Sequence, residues 1–183
     1  MKITFKKIMG ICLSMVLSLS LALPVYAEQP DFRFNDATGH LVIGRNIENK
    51  RIEEFFHFPK DEIKSVTIEY GVTKISDNAF KSCTGLTYIK IPDSVTKIGD
   101  GAFSGCTGLT SIKIPDSVTK IGSCAFTGCT GLTSVDIGNG IKEIGDMAFY
   151  GCTGLTSINI PDSVTTYIGK QAFYGCNARI YRK

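Results

Sequence analysis

The sequence predicts a mainly β solenoid with short helical turns, wound from coils of 23 residues. Residues 86–108 and 109–131 differ at only four of 23 positions, and weaker copies of the same unit flank them. An Ala-Phe pair recurs near the end of each copy, and successive pairs are 23, 23, 23 and 24 residues apart. The pairs are Ala79-Phe80, Ala102-Phe103, Ala125-Phe126, Ala148-Phe149 and Ala172-Phe173. A constant period of about 20–29 residues indicates stacked units that share one core.

Each unit begins with an apolar trio on a short strand. In the clearest copy the trio is Leu86, Ile89 and Ile91, and Pro92-Asp93-Ser94 follows as a turn. A second short extended segment comes next, and the Ala-Phe pair and a cysteine form a compact return, predicted as a helical or 3₁₀ turn. LxxIxI strands at this period predict a leucine-rich-repeat solenoid with a parallel sheet. Stacking then places the phenylalanines in one buried column, which we expect to stabilise the fold.

The first 27 residues predict a secretory signal peptide. Lys2, Lys6 and Lys7 precede an apolar run over residues 8–23, and Ala27 completes a small-residue cleavage site. A membrane anchor is the alternative, but the run is shorter than the roughly 20 residues of a membrane span. We therefore expect no span in the mature chain. The predicted organisation is a signal peptide over 1–27, an N-terminal cap over 28–62 and a solenoid over 63–183.

The predicted cap departs from the repeat. Alternating segments at 31–34 and 40–43 flank turn-forming residues 35–39, a pattern that predicts a β-hairpin. Residues 52–58 predict one or two helical turns that end at Pro59. A solenoid needs its first coil covered, because an open end exposes core side chains and a strand edge.

The repeat also becomes irregular near its other end. Thr166-Tyr167 adds one residue to its unit, and we expect a local bulge there. Residues 177–183 predict a last, charged edge strand. Such a strand discourages edge-to-edge association, so we expect a monomer.

Six cysteines follow the signal peptide, and export permits disulfides. Five of them share one repeat position: Cys83, Cys106, Cys129, Cys152 and Cys176. Stacked strands lie about 4.8 Å apart. Parallel Cβ atoms at that spacing exceed the roughly 3.8 Å of a disulfide. We predict a column of buried thiols, with Cys124, at a different position, near the surface.

Charge and chemistry argue against nucleic-acid binding and catalysis. The three signal lysines account for the excess of 20 basic over 17 acidic side chains, so the mature chain is neutral. His40 and His57 both lie in the cap, far along the chain from Cys124, the one candidate nucleophile. We assign no catalytic, cofactor or metal residue.

A second possibility, a calcium site, comes from aspartates that recur after proline. Asp93, Asp116 and Asp162 share one repeat position, with Asn139 in line. A column of carboxylates could bind Ca²⁺. Aspartate after proline is also ordinary turn chemistry, and we favour that interpretation.

Solvent-facing positions supply the candidate partner-binding residues. Beside the second extended segment, three lysines are followed by Glu143 and Thr166. On the first strand the outward positions are small and hydroxyl-rich, with one aromatic residue and two lysines. The six candidates are Lys74, Lys97, Lys120, Tyr88, Lys90 and Lys113. The stripe of Lys74, Lys97 and Lys120 predicts a docking strip for an acidic partner, and a merely solvated face is the alternative. The hydroxyl-rich face with Tyr88 is the second candidate surface.

The motif LxxIxIPxxVxxIGxxAFxxC stands almost unchanged at residues 86–106 and 109–129. It resembles the BspA-type leucine-rich-repeat family of bacterial surface proteins over about two-thirds of the chain. Members of that family are secreted or surface-attached, and some bind host matrix proteins or mediate adhesion. The resemblance implies a non-enzymatic bacterial protein, secreted or on the cell surface, whose partner is a matrix or cell-surface protein. A purely structural module without a ligand is the alternative, and a small hydrolase or inhibitor is a distant third.

Overall fold

The computed structural model describes residues 32–44 and 60–182. The predicted signal peptide, the predicted helical turns at 52–58 and His57 lie outside these ranges. The described residues form thirteen β-strands and no helix. We number the coils from the leading apolar residue: coil 1 is 63–85, coil 2 is 86–108, coil 3 is 109–131, coil 4 is 132–154 and coil 5 is 155–178.

Two series of strands run along the solenoid, one on each of two faces. The first series is β1 (Phe32–Asn35), β2 (His40–Ile43), β3 (Ser65–Ile68), β5 (Tyr88–Lys90), β7 (Ser111–Ile114), β9 (Ser134–Ile137), β11 (Ser157–Ile160) and β13 (Arg179–Arg182). The second series is β4 (Lys74–Ile75), β6 (Lys97–Ile98), β8 (Lys120–Ile121), β10 (Glu143–Ile144) and β12 (Tyr167–Ile168).

The predicted hairpin is confirmed. Strands β1 and β2 pair antiparallel with Asn35 opposite His40. The Asn35 side-chain oxygen accepts hydrogen bonds from the Ala37 and Thr38 amides at 3.0 and 3.1 Å, which closes the turn. Strand β2 then pairs in parallel with β3, so the hairpin covers the first coil.

Every strand pair between coils is parallel and in register. Lys97 lies between Lys74 and Lys120, for example, and equivalent repeat positions therefore stack into side-chain ladders. The second series forms one continuous five-stranded sheet. The first series forms three hydrogen-bonded groups, β1-β2-β3-β5, β7-β9 and β11-β13, rather than the single parallel sheet predicted.

The return segment of each coil is a run of β-turns rather than the helical turn predicted. In coil 1 the amides of Lys81 and Cys83 donate to the carbonyls of Asn78 and Phe80, each at 3.1 Å. Asn78 and Ser82 adopt positive φ angles of 57° and 61°, and the equivalent residues of coils 2–5 do the same. A right-handed helix cannot pass through left-handed residues, so the segment turns repeatedly instead.

The phenylalanines form the predicted column. Adjacent rings stack with centroids 5.0–5.5 Å apart and interplanar angles of 6–10°. The first four rings are fully buried, and Phe173 is partly buried. Each buried ring contributes about 1.5–3 kcal/mol from removal of apolar surface from water.

A glycine after each second-series strand of coils 2–5 sets how closely the coils approach. A Cβ atom on Gly145 would lie 2.5 Å from the Ser123 nitrogen and 2.7 Å from the Gly122 carbonyl carbon, both in the backbone of coil 3. In coil 1 the equivalent residue is Ser76, and β4 is the first second-series strand among the described residues. The glycine is therefore required wherever one coil lies directly on another.

The extra residue of coil 5 is absorbed before β12. The chain bends at Thr166, whose amide donates to the Lys142 carbonyl at 3.2 Å. Tyr167 then pairs with Glu143. Tyr167, and not Thr166 as the sequence suggested, therefore continues the lysine ladder.

Candidate interaction surfaces

The cysteine column consists of buried thiols bonded to the backbone. The sulfur of Cys106 donates to the Phe80 carbonyl at 3.0 Å, and those of Cys129 and Cys152 donate to Phe103 and Phe126 at 3.1 Å. Burial is confirmed for the first four members, whereas Cys176 is only partly buried. Cys124 is half-buried on the flank. The thiol–carbonyl bonds were not predicted from the sequence.

Burial makes these thiols poor nucleophiles. It raises the pKa of Cys83 to about 11 and that of Cys129 to about 12. Burial also raises the pKa of Cys106, helped by the neighbouring thiols. The nucleophile in cysteine chemistry is the thiolate, so these three buried thiols are chemically quiet near neutral pH. The partly buried Cys176 differs, because its hydrogen bond with Cys152 lowers its pKa to about 7.

His40 contacts a serine that sequence reasoning missed. Its Nδ1 lies 2.7 Å from the Ser65 hydroxyl oxygen, because the register of β2 and β3 places the two side chains side by side. A nucleophile–base pair also needs a group that orients the imidazole. The described residues supply no hydrogen-bond partner at Nε2, and the contact joins the hairpin to coil 1.

The recurring aspartates serve the turns. Asp116 accepts a hydrogen bond from the Asn139 amide at 2.7 Å and so links two successive turns. An open cleft of about 510 Å³ lies beside them. Its lining includes Asp93, Lys113, Asp116, Asp136 and Asn139. Across the described ranges no group of three or more His, Cys, Asp or Glu side chains is placed to hold a metal ion.

The lysine ladder of the second sheet carries its own counter-charges. Lys74 lies 3.7 Å from Asp77, and Lys120 lies 2.8 Å from Glu143. The hydrogen bond that Lys120 donates to Glu143 raises the pKa of Lys120. Lys97 lies between them without an ion pair among the described residues. The predicted positive stripe is thus largely compensated.

The face formed by the first series of strands, called the first face below, has a group of side chains whose positive charge is less compensated. We name this group the β5–β7 surface, and it consists of Tyr88, Lys90 and Lys113. Tyr88 is 55% exposed between small neighbours such as Ser65. Both lysines are exposed, and neither forms an ion pair within the described part of the chain. Of the six predicted residues, these three combine an aromatic ring with two lysines that form no ion pair, although Asp136 is the in-register neighbour of Lys113.

An aromatic surface near the end of the solenoid was missed from the sequence. Tyr150 and Tyr174 stack with centroids 5.5 Å apart. The Tyr167 hydroxyl donates to Asp146 at 2.5 Å, a bond that lowers the pKa of that carboxyl. The available signal was the tyrosine that directly follows each of the last two column phenylalanines.

The fold and its repeat define a leucine-rich-repeat protein. The model of the BspA-type leucine-rich repeat region matches residues 50–179 in six copies. The chain therefore belongs to the BspA-type leucine-rich-repeat family. No curated protein matches the chain significantly.

Three solved structures place the fold among bacterial proteins. A leucine-rich repeat protein of T. pallidum aligns with a TM-score of 0.60 and 27% identity over 78% of this chain and 63% of its own. A leucine-rich repeat protein of Bacteroides ovatus aligns with a TM-score of 0.59 and 31% identity, over 67% of this chain and 31% of its own. A leucine-rich cell surface protein of Faecalibacterium prausnitzii aligns with a TM-score of 0.55 and 28% identity, over 84% of this chain and 46% of its own. This chain therefore spans less than two-thirds of each of them.

The described residues also contain no apolar helix long enough to cross a membrane.

Proposed function

We propose that this chain is a secreted or cell-surface binding module without enzymatic activity, and that its ligand is another protein. The family consists of leucine-rich-repeat proteins, and one structural relative is described as a cell surface protein. The predicted signal peptide over residues 1–27 supports export. The raised pKa values of Cys83 and Cys129 argue against cysteine catalysis by those buried thiols.

The observation that carries the proposal is the β5–β7 surface. Tyrosine is enriched among residues that dominate binding energy, because a large rigid ring is buried at little entropic cost. Exposed lysines steer an acidic partner and set the salt dependence of association. Lys90 and Lys113 form no ion pair among the described residues, although Asp136 lies beside Lys113 in register, whereas Lys74 and Lys120 have carboxylate partners. We therefore assign the contact to the first face.

The experiment uses a photo-crosslinking amino acid in place of Tyr88 in the exported chain. The matched control carries the same group in place of Tyr70, which is 74% exposed but lies in the turn after β3. Both proteins are illuminated with extracellular-matrix and cell-surface extracts, and adducts are identified by mass spectrometry. The expected result is a defined protein adduct at position 88 that position 70 does not give.

Charge reversal then separates the two candidate faces. Lys90→Glu with Lys113→Glu should lower the adduct yield by about tenfold, equivalent to roughly 1.4 kcal/mol of binding. Lys97→Glu with Lys120→Glu is the control with equal charge change and should leave the yield unchanged. Loss only in the control pair would move the contact to the second sheet. The absence of adducts from every position would support the structural-module alternative.

A further inference from the structure

Charges of opposite sign follow one another along the first face. Lys90, Lys113 and Asp136 occupy one repeat position in coils 2, 3 and 4, and all three side chains are exposed. Coil 5 continues the series with the neutral Asn159. Two positive charges are therefore followed by one negative charge, and we name Lys90, Lys113 and Asp136 the charge row.

The charge row is not neutralised by its own members. On the second sheet Lys120 and Glu143, in coils 3 and 4, form an ion pair at 2.8 Å. Lys113 and Asp136 are in-register neighbours in the same two coils, yet no ion pair joins them in the described part of the chain. The open cleft of about 510 Å³ is lined in part by these two side chains. The charges of the row are thus accessible to a partner.

The spacing of the charge row fits an α-helix better than an extended segment. Neighbouring strands lie about 4.8 Å apart, so the second and third charges lie about 4.8 and about 9.6 Å from the first. Helix residues i, i+3 and i+7 share one face, and the last two lie about 4.5 and about 10.5 Å beyond the first. Side chains on one face of an extended strand recur only about every 6.8 Å, which falls out of step with the row.

The neighbouring row of side chains leaves room for the body of such a helix. Tyr88 precedes Lys90 by two residues on β5, and it is 55% exposed. Serines occupy the equivalent positions on β3, β7 and β9, at Ser65, Ser111 and Ser134. A helix with its side chains is about 10–12 Å across, so it would cover both rows. An apolar helix residue then packs on the tyrosine ring, and the small serines allow close approach.

We propose that the β5–β7 surface, together with Asp136, binds an α-helix of a partner protein that lies along the solenoid axis. The helix presents carboxylates at positions i and i+3 to Lys90 and Lys113, and a basic residue at i+7 to Asp136. A uniformly acidic helix would place a carboxylate against Asp136, so the basic residue selects among acidic partners. A helix of opposite direction presents the same signs in reverse order. This inference rests on the proposed function, because it specifies the partner of the same surface.

The probes are three acetylated and amidated peptides. AQAEAQELAQKLAQA has the order acid, acid, base at the required spacing. AQAEAQKLAQELAQA has the same composition in the order acid, base, acid, which matches the charge row in neither direction. AQAEAQELPQKLAQA keeps the first order, but its proline breaks the helix.

Binding of the peptides to the exported chain is measured by fluorescence anisotropy, and circular dichroism gives the helix content of each peptide. The first peptide should bind at least about tenfold more tightly than either of the others. Its preference over the acid, base, acid peptide should decrease as salt is added, because exposed charges are screened.

An exchange of two charges makes the test specific. Lys113→Glu with Asp136→Lys changes the order of the row to positive, negative, positive without changing the net charge. This variant should prefer the acid, base, acid peptide by about tenfold. Lys120→Glu with Glu143→Lys is the same exchange on the second sheet, and this matched control should keep the original preference. Thermal unfolding checks that both variants are folded.

Three results would overturn the inference. They are equal affinity for the first two peptides, equal affinity for the helical and the proline-containing peptide, and a preference that the exchange in the charge row does not reverse. The photo-crosslinking group at position 88 separates these failures from failure of the proposed function. Protein adducts at position 88 alongside any of these results would leave the protein partner standing without its helix. Loss of both adducts and peptide binding would remove the surface itself.

Discussion

Coil 3 and coil 5 share one sequence pattern but not one environment. Phe126 stacks between two rings and is fully buried, whereas Phe173 stacks on one ring and is partly exposed. Cys129 is buried and Cys176 is not, although both donate to a phenylalanine carbonyl of the preceding coil. In a solenoid, burial is therefore a property of the neighbours on both sides rather than of the residue type.

The difference extends to what each region can offer a partner. Coils 2 and 3 have neighbours on both sides, so they present only side chains, such as Tyr88 and Lys113. Among the described strands, β13 is paired on one side only, by β11. Position in the stack therefore decides which side chains a coil presents.

The largest expected effect concerns the phenylalanine column. Phe126→Ala should destabilise the exported chain by about 3–5 kcal/mol, because it removes a fully enclosed ring and leaves a cavity. Phe173→Ala should cost about half as much, since its ring already contacts solvent. Denaturant unfolding of the two variants measures the difference. Equal losses would mean that the end of the column is covered as completely as its middle.

A smaller effect is expected at alkaline pH. The Cys129 thiol has a pKa near 9 when unfolded and about 12 when folded. Its contribution to stability is complete below pH 9 and is lost as the pH rises towards 12, because the unfolded thiol ionises first. The expected loss is about 1.4 kcal/mol per pH unit for each such thiol.

Cys129→Ala isolates that contribution. Between pH 9 and 10.5 the free energy of unfolding should fall less steeply with pH in this variant than in the unaltered chain. The difference between the two slopes should correspond to the ionisation of one thiol. Cys124→Ala is the matched cysteine-to-alanine control at a half-buried position outside the column. Identical slopes for all three proteins would show that the Cys129 thiol ionises equally in both states.

The stacking of equivalent residues along the solenoid could mostly be predicted from the sequence. A 23-residue period places equivalent residues on top of one another, so the phenylalanine and cysteine columns followed directly. The hairpin was predicted from its alternation and its turn residues. The return segments were not predicted correctly, because left-handed residues such as Cys124 and Met147 are not recognisable as such in the sequence. Gly101 marks that position in coil 2, and glycines mark the second left-handed position in coils 2–5, at Gly105, Gly128, Gly151 and Gly175, but this signal was not used.

The candidate surface was harder to predict, because a repeat determines stacking but not contacts within a face. Lys74 and Asp77 lie on either side of a turn, and their ion pair depends on how that turn folds. The inserted residue moved Tyr167 into the lysine ladder by an adjustment of the chain at Thr166. The β5–β7 surface could be separated from the lysine ladder only when such pairs were known.

Residue-resolved alkylation of the native, unreduced chain tests the central claim most directly, which is that position in the stack decides exposure. A neutral alkylating reagent near pH 7 should label Cys124 and Cys176 first and spare Cys83, Cys106, Cys129 and Cys152 until the protein unfolds. After denaturation without reductant, all six should be labelled. Uniform labelling of the native column, or fewer than six labelled cysteines after unfolding, would contradict the account.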